Sequence, residues 1–335
     1  MNSSEWAEEP KGLLYHYTTP EGLLGILDSG SIRATHVRYL NDRSEVKNAL
    51  SSEYMGLLFD SLLAEADDVR KAHLKNVVRF RSDQQVFVAS FTDDGAVPEG
   101  EETKPGNRLS QWRAYSNQVG GFSLGFDSRK LKMAAWKSAH ELGLDAPYLL
   151  RCRYYAREKR EATSRIGKWG AGIRSLYHES RLSHFQKMVG REPDMEELRL
   201  IELSSDSCAL GAMDANYFAS EVARFKDEAF AEEHEWRIVV RAKREALLDA
   251  HLSKPKSPII QFRNGRFGIT PFMQIQLGLD SADSPLQRVV VGPSPDEEDA
   301  LESAKLLLQA RDIKLQSREC PGGVEVIASR IPYRN

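Results

Sequence analysis

Patterns typical of β-strands lie towards both ends of this chain, and the stretch between them has mostly a helical pattern. In GGFSLGFD (120–127), Phe122, Leu124 and Phe126 fall on one face of a strand, and EWRIVVR (235–241) alternates in the same way. Strands and helices do not alternate regularly along the chain, as they would in a doubly wound parallel fold. The sequence therefore predicts an α+β protein with mixed or antiparallel sheets.

A single domain over residues 1–335 is the organisation that we predict. The chain is 41% hydrophobic and 28% charged, a globular composition with enough length for a sizeable core. Residues 129–226 are expected to form a mostly helical insertion. Residues 93–107 are rich in Gly, Pro and acid without any periodicity, so we expect a mobile loop there.

Charge and composition argue against several classes of protein. The net charge of −3 provides no general basic field for nucleic acid, and no apolar run approaches the length of a membrane span. The three cysteines are scattered, which supports neither a disulfide framework nor a zinc site. We therefore expect a cytoplasmic protein with no metal site and no membrane association, and the sequence leaves its oligomeric state open.

The segment LLYHYTTPEGLLGILDSG (13–30) predicts a short strand and a short helix. Thr19 is placed to cap the helix, Pro20 to open it and Gly30 to end it. His16 and Tyr17 are consecutive on the strand, so their side chains point to opposite faces. His16 is either a hydrogen-bonded core histidine or part of a ligand site, and the sequence leaves both interpretations open.

Carboxylates occur in two further motifs. Asp42 and Glu45 match a D-x-x-E capping box at the start of a helix expected over 42–66, and Glu45 is open to either role, helix cap or site residue. A similar start at Ser294 and Glu297 predicts a helix near the C-terminus. In FAEEHEWRIVVR, strand alternation puts Glu233, Glu235 and Arg237 on one face. These three residues form either a surface ion pair or a site that presents a carboxylate to a ligand.

The order of short motifs along residues 13–334 resembles that of a widespread bacterial family known only as a domain of unknown function. The motifs that carry the resemblance are Tyr-His-Tyr-Thr, Asn-Asp-x-x-Glu, Trp-x-x-Tyr, Gly-x-x-Leu-Gly-Phe, Glu-x-Glu-Trp-Arg and Pro-Tyr-Arg. The resemblance covers nearly the whole chain, but it implies no activity by itself.

The opening H-x-T motif, followed by a leucine-rich short helix that ends in glycine, also resembles the start of ADP-ribosyltransferase folds. That resemblance implies NAD as the substrate, a protein or nucleic acid as the acceptor, and a role as a bacterial toxin or phage-defence effector. It assigns His16 to the ribose, Tyr17 or Tyr39 to stacking on nicotinamide, and Glu235, with Glu233, to catalysis. SFTDD (90–94) is the nearest match to the family's S-T-S strand. Further residues expected to line the NAD site are Thr18, Asn41, Asp42, Glu45, Trp112, Tyr115 and Arg237.

Three functions remain open: an NAD-linked transferase or hydrolase, a non-catalytic nucleotide- or protein-binding regulatory domain, and an RNA-modifying phosphotransferase. The first requires His16 and Glu235 within reach of one pocket. The second would leave Glu235 engaged by Arg237. The third, an RNA-modifying phosphotransferase, predicts that the basic residues of 151–174 lie beside the pocket as a stripe.

Overall fold

A computed structural model shows the arrangement of most of the predicted elements. The structure describes residues 9–10, 12–40, 68–69, 72, 84–93, 106–116, 120–154, 175, 178–213, 223, 225–226, 228–243, 259–265, 268–329 and 331. The helix expected over 42–66 lies outside these residues, as does most of the loop expected at 93–107.

The first three elements follow the local sequence closely. β1 spans Leu13–Thr18, α1 spans Pro20–Ser29 and β2 spans Ser31–His36. Thr19 caps α1 by accepting a hydrogen bond from the backbone N–H of Gly22. Gly30 ends the helix at φ 59°, a left-handed conformation that glycine adopts without a steric penalty. The predicted strand and helix are therefore confirmed.

In the described ranges, ten strands form one mixed, mostly antiparallel sheet, which confirms the α+β prediction. Its remaining strands are β3 (Gln84–Asp93), β4 (Phe122–Asp127), β5 (Tyr148–Arg151), β8 (Glu235–Lys243), β9 (Gln261–Gly265), β10 (Gly268–Gln276), β11 (Leu286–Val291) and β12 (Glu325–Ala328). The order along the sheet is β12-β11-β4-β1-β3-β2-β10-β9, and β8 pairs with both β3 and β5. A separate parallel pair is formed by β6 (Arg153–Tyr154) and β7 (Phe225–Lys226).

β3 is the strand that joins the two halves of the large sheet. β1 pairs with its end at Thr92 and Asp93, and β2 pairs with it at Phe87 and Val88. β8 runs along the whole of β3, from Gln84 to Thr92. Because a strand has two edges, β1 and β2 must share the edge that β8 leaves open.

Helices lie on both faces of the sheet: α2 (Leu109–Tyr115) on one, and α1, α3 (Ser128–Glu141) and α5 (Glu297–Gln309) on the other. The described residues also include α4 (Met195–Met213), a helical stretch at 178–189, and 3₁₀ turns at Val37–Tyr39 and Glu228–Glu233. α5 begins later than the capping pattern predicts, because Asp296 rather than Ser294 accepts the capping hydrogen bond, from the N–H of Asp299. None of the helices in the described ranges has the length and apolar character that a membrane crossing requires.

Strand register assigns the side chains to two faces. Phe91 lies opposite Trp236 across β3 and β8, and both belong to the main core, which α1, α3 and α5 cover. Thr92 lies opposite Glu235 on the other face. Tyr15 is paired with Thr92, so it shares this second face, which α2 covers.

Candidate ligand-binding site

Two carboxylates and two cations meet at the start of β8. Glu235 Oε1 accepts a hydrogen bond from Arg237 Nε at 2.7 Å, and Glu235 Oε2 accepts from Arg237 Nη2 at 3.2 Å and from Lys226 Nζ at 2.7 Å. The same ammonium lies 2.5 Å from Glu233 Oε2. Side-chain exposure is 3% for Arg237, 5% for Glu235, 7% for Lys226 and 12% for Glu233. These four residues, called the charged cluster below, form a buried network and not a surface ion pair.

Three short elements bring the charged cluster together. β8 supplies Glu235 and Arg237 on the same face of the sheet. Glu233 ends the 3₁₀ turn that leads into β8, so it does not share the strand as the alternation predicted. Lys226 comes from β7, whose neighbour on β6 is Tyr154. The hydroxyl of Tyr154 accepts a hydrogen bond from the backbone N–H of Glu235 at 3.0 Å, which fixes the start of β8.

Glu235 is held in its ionised form. Burial opposes its charge, but Arg237 and Lys226 outweigh burial and hold the pKa of Glu235 at about 2. Burial likewise opposes the charge of Lys226, while the two carboxylates raise the pKa of Lys226 above its ordinary value. Arg237 also donates from Nη1 to the carbonyl of Ala223 at 2.6 Å. Since both oxygens of Glu235 are bonded to cations, this carboxylate fixes its neighbours and is not presented to a ligand.

Glu233 and Tyr115 form the outer part of the site. Burial raises the pKa of Glu233 and the charge of Glu235 adds to this effect, although Lys226 opposes it. Tyr115 in α2 is 37% exposed. Burial, together with the charges of Glu233 and Glu235, raises the pKa of Tyr115 to about 12. The site thus offers a carboxylate that takes up a proton more readily than an ordinary glutamate, and an accessible aromatic ring whose hydroxyl is affected by the charge of that carboxylate.

Two other aromatic residues predicted for the site, Tyr17 of β1 and Trp112 of α2, are buried between α2 and the sheet. The rings of Tyr17 and Trp112 pack edge to face with centroids 4.8 Å apart. The hydroxyl of Tyr17 accepts from the backbone N–H of Arg108 at 3.0 Å, and the Trp112 indole donates to Asn107 Oδ1 at 2.8 Å. A Cβ at Gly292 would lie 2.7 Å from the Trp112 ring, which shows how closely it packs. Both rings anchor α2 and offer no free face for stacking.

His16 lies on the opposite face of the sheet from Glu235. Tyr15 is paired with Thr92, and Thr92 is paired with Glu235, so Tyr15 and Glu235 share a face. Because neighbouring residues of a strand alternate, His16 points away from that face. The expectation that His16 and Glu235 line one cleft is therefore not met.

The surroundings of His16 are those of a hydrogen-bonded core histidine. Its Nδ1 lies 3.0 Å from the carbonyl oxygen of Ser90, an acceptor, so Nδ1 carries the proton. Its ring lies 5.8 Å from that of Phe91. Burial lowers the pKa of His16, although the bond to Ser90 opposes the change. Thr18, two residues further along the strand, falls on the same side as His16 by alternation.

Tyr39 lies near the other end of β3 from the charged cluster. Its ring packs edge to face on His36, with centroids 5.6 Å apart. His36 is paired with Phe87, five residues before the Thr92 that faces Glu235. Five residues of strand span roughly 17 Å. Asn41, Asp42, Glu45 and the basic residues from Arg157 to Arg174 lie outside the described residues.

Sequence patterns missed two residues of the site, Lys226 and Tyr154. Each lies on a two-residue strand, too short for alternation to be visible, and each reaches Glu235 only because β6 pairs with β7. Within the described part of the chain, no group of three or more His, Cys, Asp or Glu is arranged to hold a metal ion.

Comparison with known proteins gives one match. Residues 111–238 match a family described as "Protein of unknown function (DUF2971)". The matched segment begins in α2 and ends in β8, so it contains Tyr115 and the whole charged cluster. This supports the expected relation to a family of unknown function. No curated protein and no solved structure matches the chain at significant similarity.

Proposed function

We propose that this chain is a regulatory domain that binds a nucleotide at the start of β8, with Tyr115 and Glu233 contacting the ligand and the rest of the charged cluster forming a fixed base. The observation that carries the proposal is the state of Glu235. Both of its oxygens are bonded to cations at 2.7 Å in the protein interior. A binding domain was expected to leave Glu235 engaged by Arg237, and this is the arrangement found.

An ADP-ribosyltransferase that used Glu235 would need this carboxylate beside the ribose, where positive charge develops. A ligand could reach it only by separating Glu235 from Arg237 and Lys226. Breaking a buried ion pair leaves uncompensated charges in the interior, which is strongly unfavourable. His16, which the same mechanism requires, lies on the other face of the sheet. The geometry therefore favours binding without turnover by Glu235.

The class of ligand rests on the resemblance to ADP-ribosyltransferase folds and on Tyr115. An exposed aromatic ring provides a stacking surface for a base or for nicotinamide, and Glu233 beside it can accept hydrogen bonds from ribose hydroxyls. This combination suits an NAD-type nucleotide.

Calorimetric titration with NAD and with ADP-ribose tests the proposal. We expect Tyr115→Ala to weaken binding at least about fivefold, the lower end of what one aromatic–base stack contributes. Tyr148→Ala is the matched control, because Tyr148 is 41% exposed but lies opposite Val239, four residues along β8 from Glu235. Absence of binding by the unaltered protein, or equal binding by the Tyr115 variant, would contradict the proposal.

A second candidate is an NAD-linked transferase or hydrolase in which Glu233 is the reacting carboxylate. It is favoured by the 12% exposure of Glu233 and by the adjacency of β1, β3 and β8, which brings the first motif and the Glu-x-Glu motif into one sheet. If it is correct, NAD is cleaved and Glu233→Gln lowers the rate by about a hundredfold, the effect of removing one electrostatic stabiliser. Glu232→Gln, a change at the exposed neighbouring residue, should leave the rate unchanged.

A further inference from the structure

Arg33 of β2 lies on the face of the sheet that is opposite the main core. The residues on either side of it, Ile32 and Ala34, both belong to the main core. Alternation along the strand therefore turns Arg33 and Thr35 to the other face. Phe272 of β10 is paired with Thr35, so it lies on this face as well.

Arg263 of β9 shares this face with Arg33. It is paired with Thr270 of β10, which comes two residues before Phe272, and residues two apart on a strand point to the same side. β10 lies between β2 and β9 in the sheet. The two arginines therefore flank one strand, and both are exposed to solvent.

The two guanidinium groups meet near Phe272. Arg33 lies over the Phe272 ring, with its Cζ 5.1 Å from the ring centroid. Arg263 Nη2 lies 3.5 Å from Thr35 Oγ1, so the side chain of Arg263 crosses β10 to reach β2. Because Phe272 is the β10 residue paired with Thr35, this crossing brings Arg263 towards the same ring. Phe272 is 4% exposed and forms a fixed base below both groups.

The positive charge at this place is not balanced within the described part of the chain. Neither Arg33 nor Arg263 is paired there with a carboxylate. Burial lowers the pKa of Arg263, and the charge of Arg33 lowers it further. The residues of the three strands that point to this face include no Asp or Glu. They are Ser31, Arg33 and Thr35 on β2, Thr270, Phe272, Gln274 and Gln276 on β10, and Gln261 and Arg263 on β9.

We infer that Arg33 and Arg263 form a binding site for the phosphate group of a phosphorylated ligand. Two like charges held near each other repel, and an anion between them removes the repulsion. A phosphate monoester carries close to two negative charges at neutral pH, so it balances both arginines, whereas a carboxylate would balance one. Guanidinium groups also donate charge-assisted hydrogen bonds to phosphate oxygens through a planar fork.

This site goes beyond the proposed function and is separate from the nucleotide site. It is built from β2, β9 and β10, whereas Tyr115 comes from α2 and Glu233 from the turn before β8. The two proposals can therefore fail independently.

Calorimetric titration of the full chain with inorganic pyrophosphate tests the site. Arg33→Gln and Arg263→Gln should each weaken pyrophosphate binding by about tenfold, as expected when a hydrogen bond to a charged group is lost. Arg263→Lys keeps the charge without the planar fork, so its affinity should fall between those of the unaltered protein and Arg263→Gln. Arg129→Gln is the matched control, because Arg129 is exposed and is paired with Glu9 at 3.2 Å. Its affinity should be unchanged.

Thermal unfolding separates binding from a structural role. Without ligand, removal of either like charge should leave the melting temperature unchanged or raise it. Pyrophosphate should raise the melting temperature of the unaltered protein, because a ligand that binds only the folded state stabilises it, and should not affect a variant with both arginines replaced. An Arg33→Gln variant that melts earlier but binds pyrophosphate as before would overturn the site.

A short single-stranded oligonucleotide distinguishes two sources of the phosphate group. Tighter binding of the oligonucleotide than of pyrophosphate, with the same dependence on Arg33 and Arg263, would assign the phosphate to a nucleic acid strand. Weaker or equal binding, with pyrophosphate still dependent on both arginines, would assign it to a small phosphorylated molecule. Failure of the unaltered protein to bind either probe, or equal binding by the arginine variants, would overturn the site.

The Tyr115→Ala variant separates this site from the proposed function. It should bind pyrophosphate as the unaltered protein does. Pyrophosphate binding that is lost in this variant and kept in the arginine variants would overturn the anion site and leave the nucleotide site standing. Pyrophosphate binding that depends on both arginines, in a protein that binds neither NAD nor ADP-ribose, would support the anion site and overturn the proposed function.

Discussion

Two arginine–glutamate pairs in this protein have nearly the same geometry and opposite surroundings. In the charged cluster, Arg237 donates two hydrogen bonds to Glu235 at 2.7 and 3.2 Å. Arg191, which lies between the helical residues 178–189 and α4, donates two hydrogen bonds to Glu197 of α4 at 2.7 and 2.8 Å. The side chains are 3% and 5% exposed in the first pair but 52% and 29% exposed in the second.

We expect burial, and not bond length, to determine how strongly the stability of the protein depends on such a pair. Water can replace either partner of the Arg191–Glu197 pair when the other is removed. Around Glu235 the replacement would have to come from the interior, where Arg237 would lose its carboxylate and Lys226 would keep only Glu233. We therefore expect the pair with the slightly longer bonds to be the one that the fold requires.

The largest expected effect is that of Glu235→Gln. This change keeps the shape of the side chain but removes one of the two carboxylates that balance Arg237 and Lys226, and it leaves Arg237 without a carboxylate in the charged cluster. We expect the free energy of unfolding to fall by about 3–5 kcal/mol. Urea denaturation at pH 7 measures the change.

Glu197→Gln is the matched control for that experiment, because it removes the same charge from a bidentate pair at the surface. Its denaturation midpoint should be unchanged within error. A Glu235 variant that is as stable as the control would show that the charged cluster is not required for folding.

A smaller but specific effect is expected in acid. The pKa of Glu235 falls from 4.5 in the unfolded chain to about 2 in the folded state, so the folded state binds this proton less readily. The stabilisation is complete above pH 4.5 and is lost as the pH falls towards 2. Its size is roughly 3 kcal/mol, since one pKa unit corresponds to about 1.4 kcal/mol. Urea midpoints between pH 7 and pH 2.5 should fall more steeply for Glu197→Gln, which retains Glu235, than for Glu235→Gln. Parallel curves would contradict the assignment.

Features that depend on neighbouring residues could be predicted from the sequence, and features that depend on long-range strand pairing could not. Thr19 and Gly30 mark both ends of α1 because capping depends on nearby residues alone. At α5, Ser294 and Asp296 are both good caps two residues apart, and the sequence could not rank them.

The arrangement of the candidate site depends on strand pairing more strongly than the helix ends do. Alternation showed that His16 and Tyr17 point to opposite faces, but only the register of β1 with β3 and of β3 with β8 decides which of them shares a face with Glu235. Lys226 reaches Glu235 because β7 pairs with β6, and the local sequence contains no signal that predicts this pairing.

A small effect is expected from Glu233→Gln. Burial already raises the pKa of Glu233, so replacing it with a neutral amide removes less stabilisation than the same change at Glu235. Lys226 also keeps its bond to Glu235. We expect a loss of about 1 kcal/mol or less, the usual net contribution of one hydrogen bond. A loss as large as that of Glu235→Gln, measured by the same denaturation, would show that the two carboxylates have equal structural roles.

Proton NMR of NAD in the presence of the protein tests the central claim most directly, because one time course reports both binding and cleavage. The account predicts that the adenine and nicotinamide signals broaden in proportion to the protein added and that no free nicotinamide accumulates, since Glu235 is committed to Arg237 and Lys226. Unchanged sharp signals would contradict binding. Steady appearance of free nicotinamide would contradict a purely regulatory site and favour the enzyme in which Glu233 reacts.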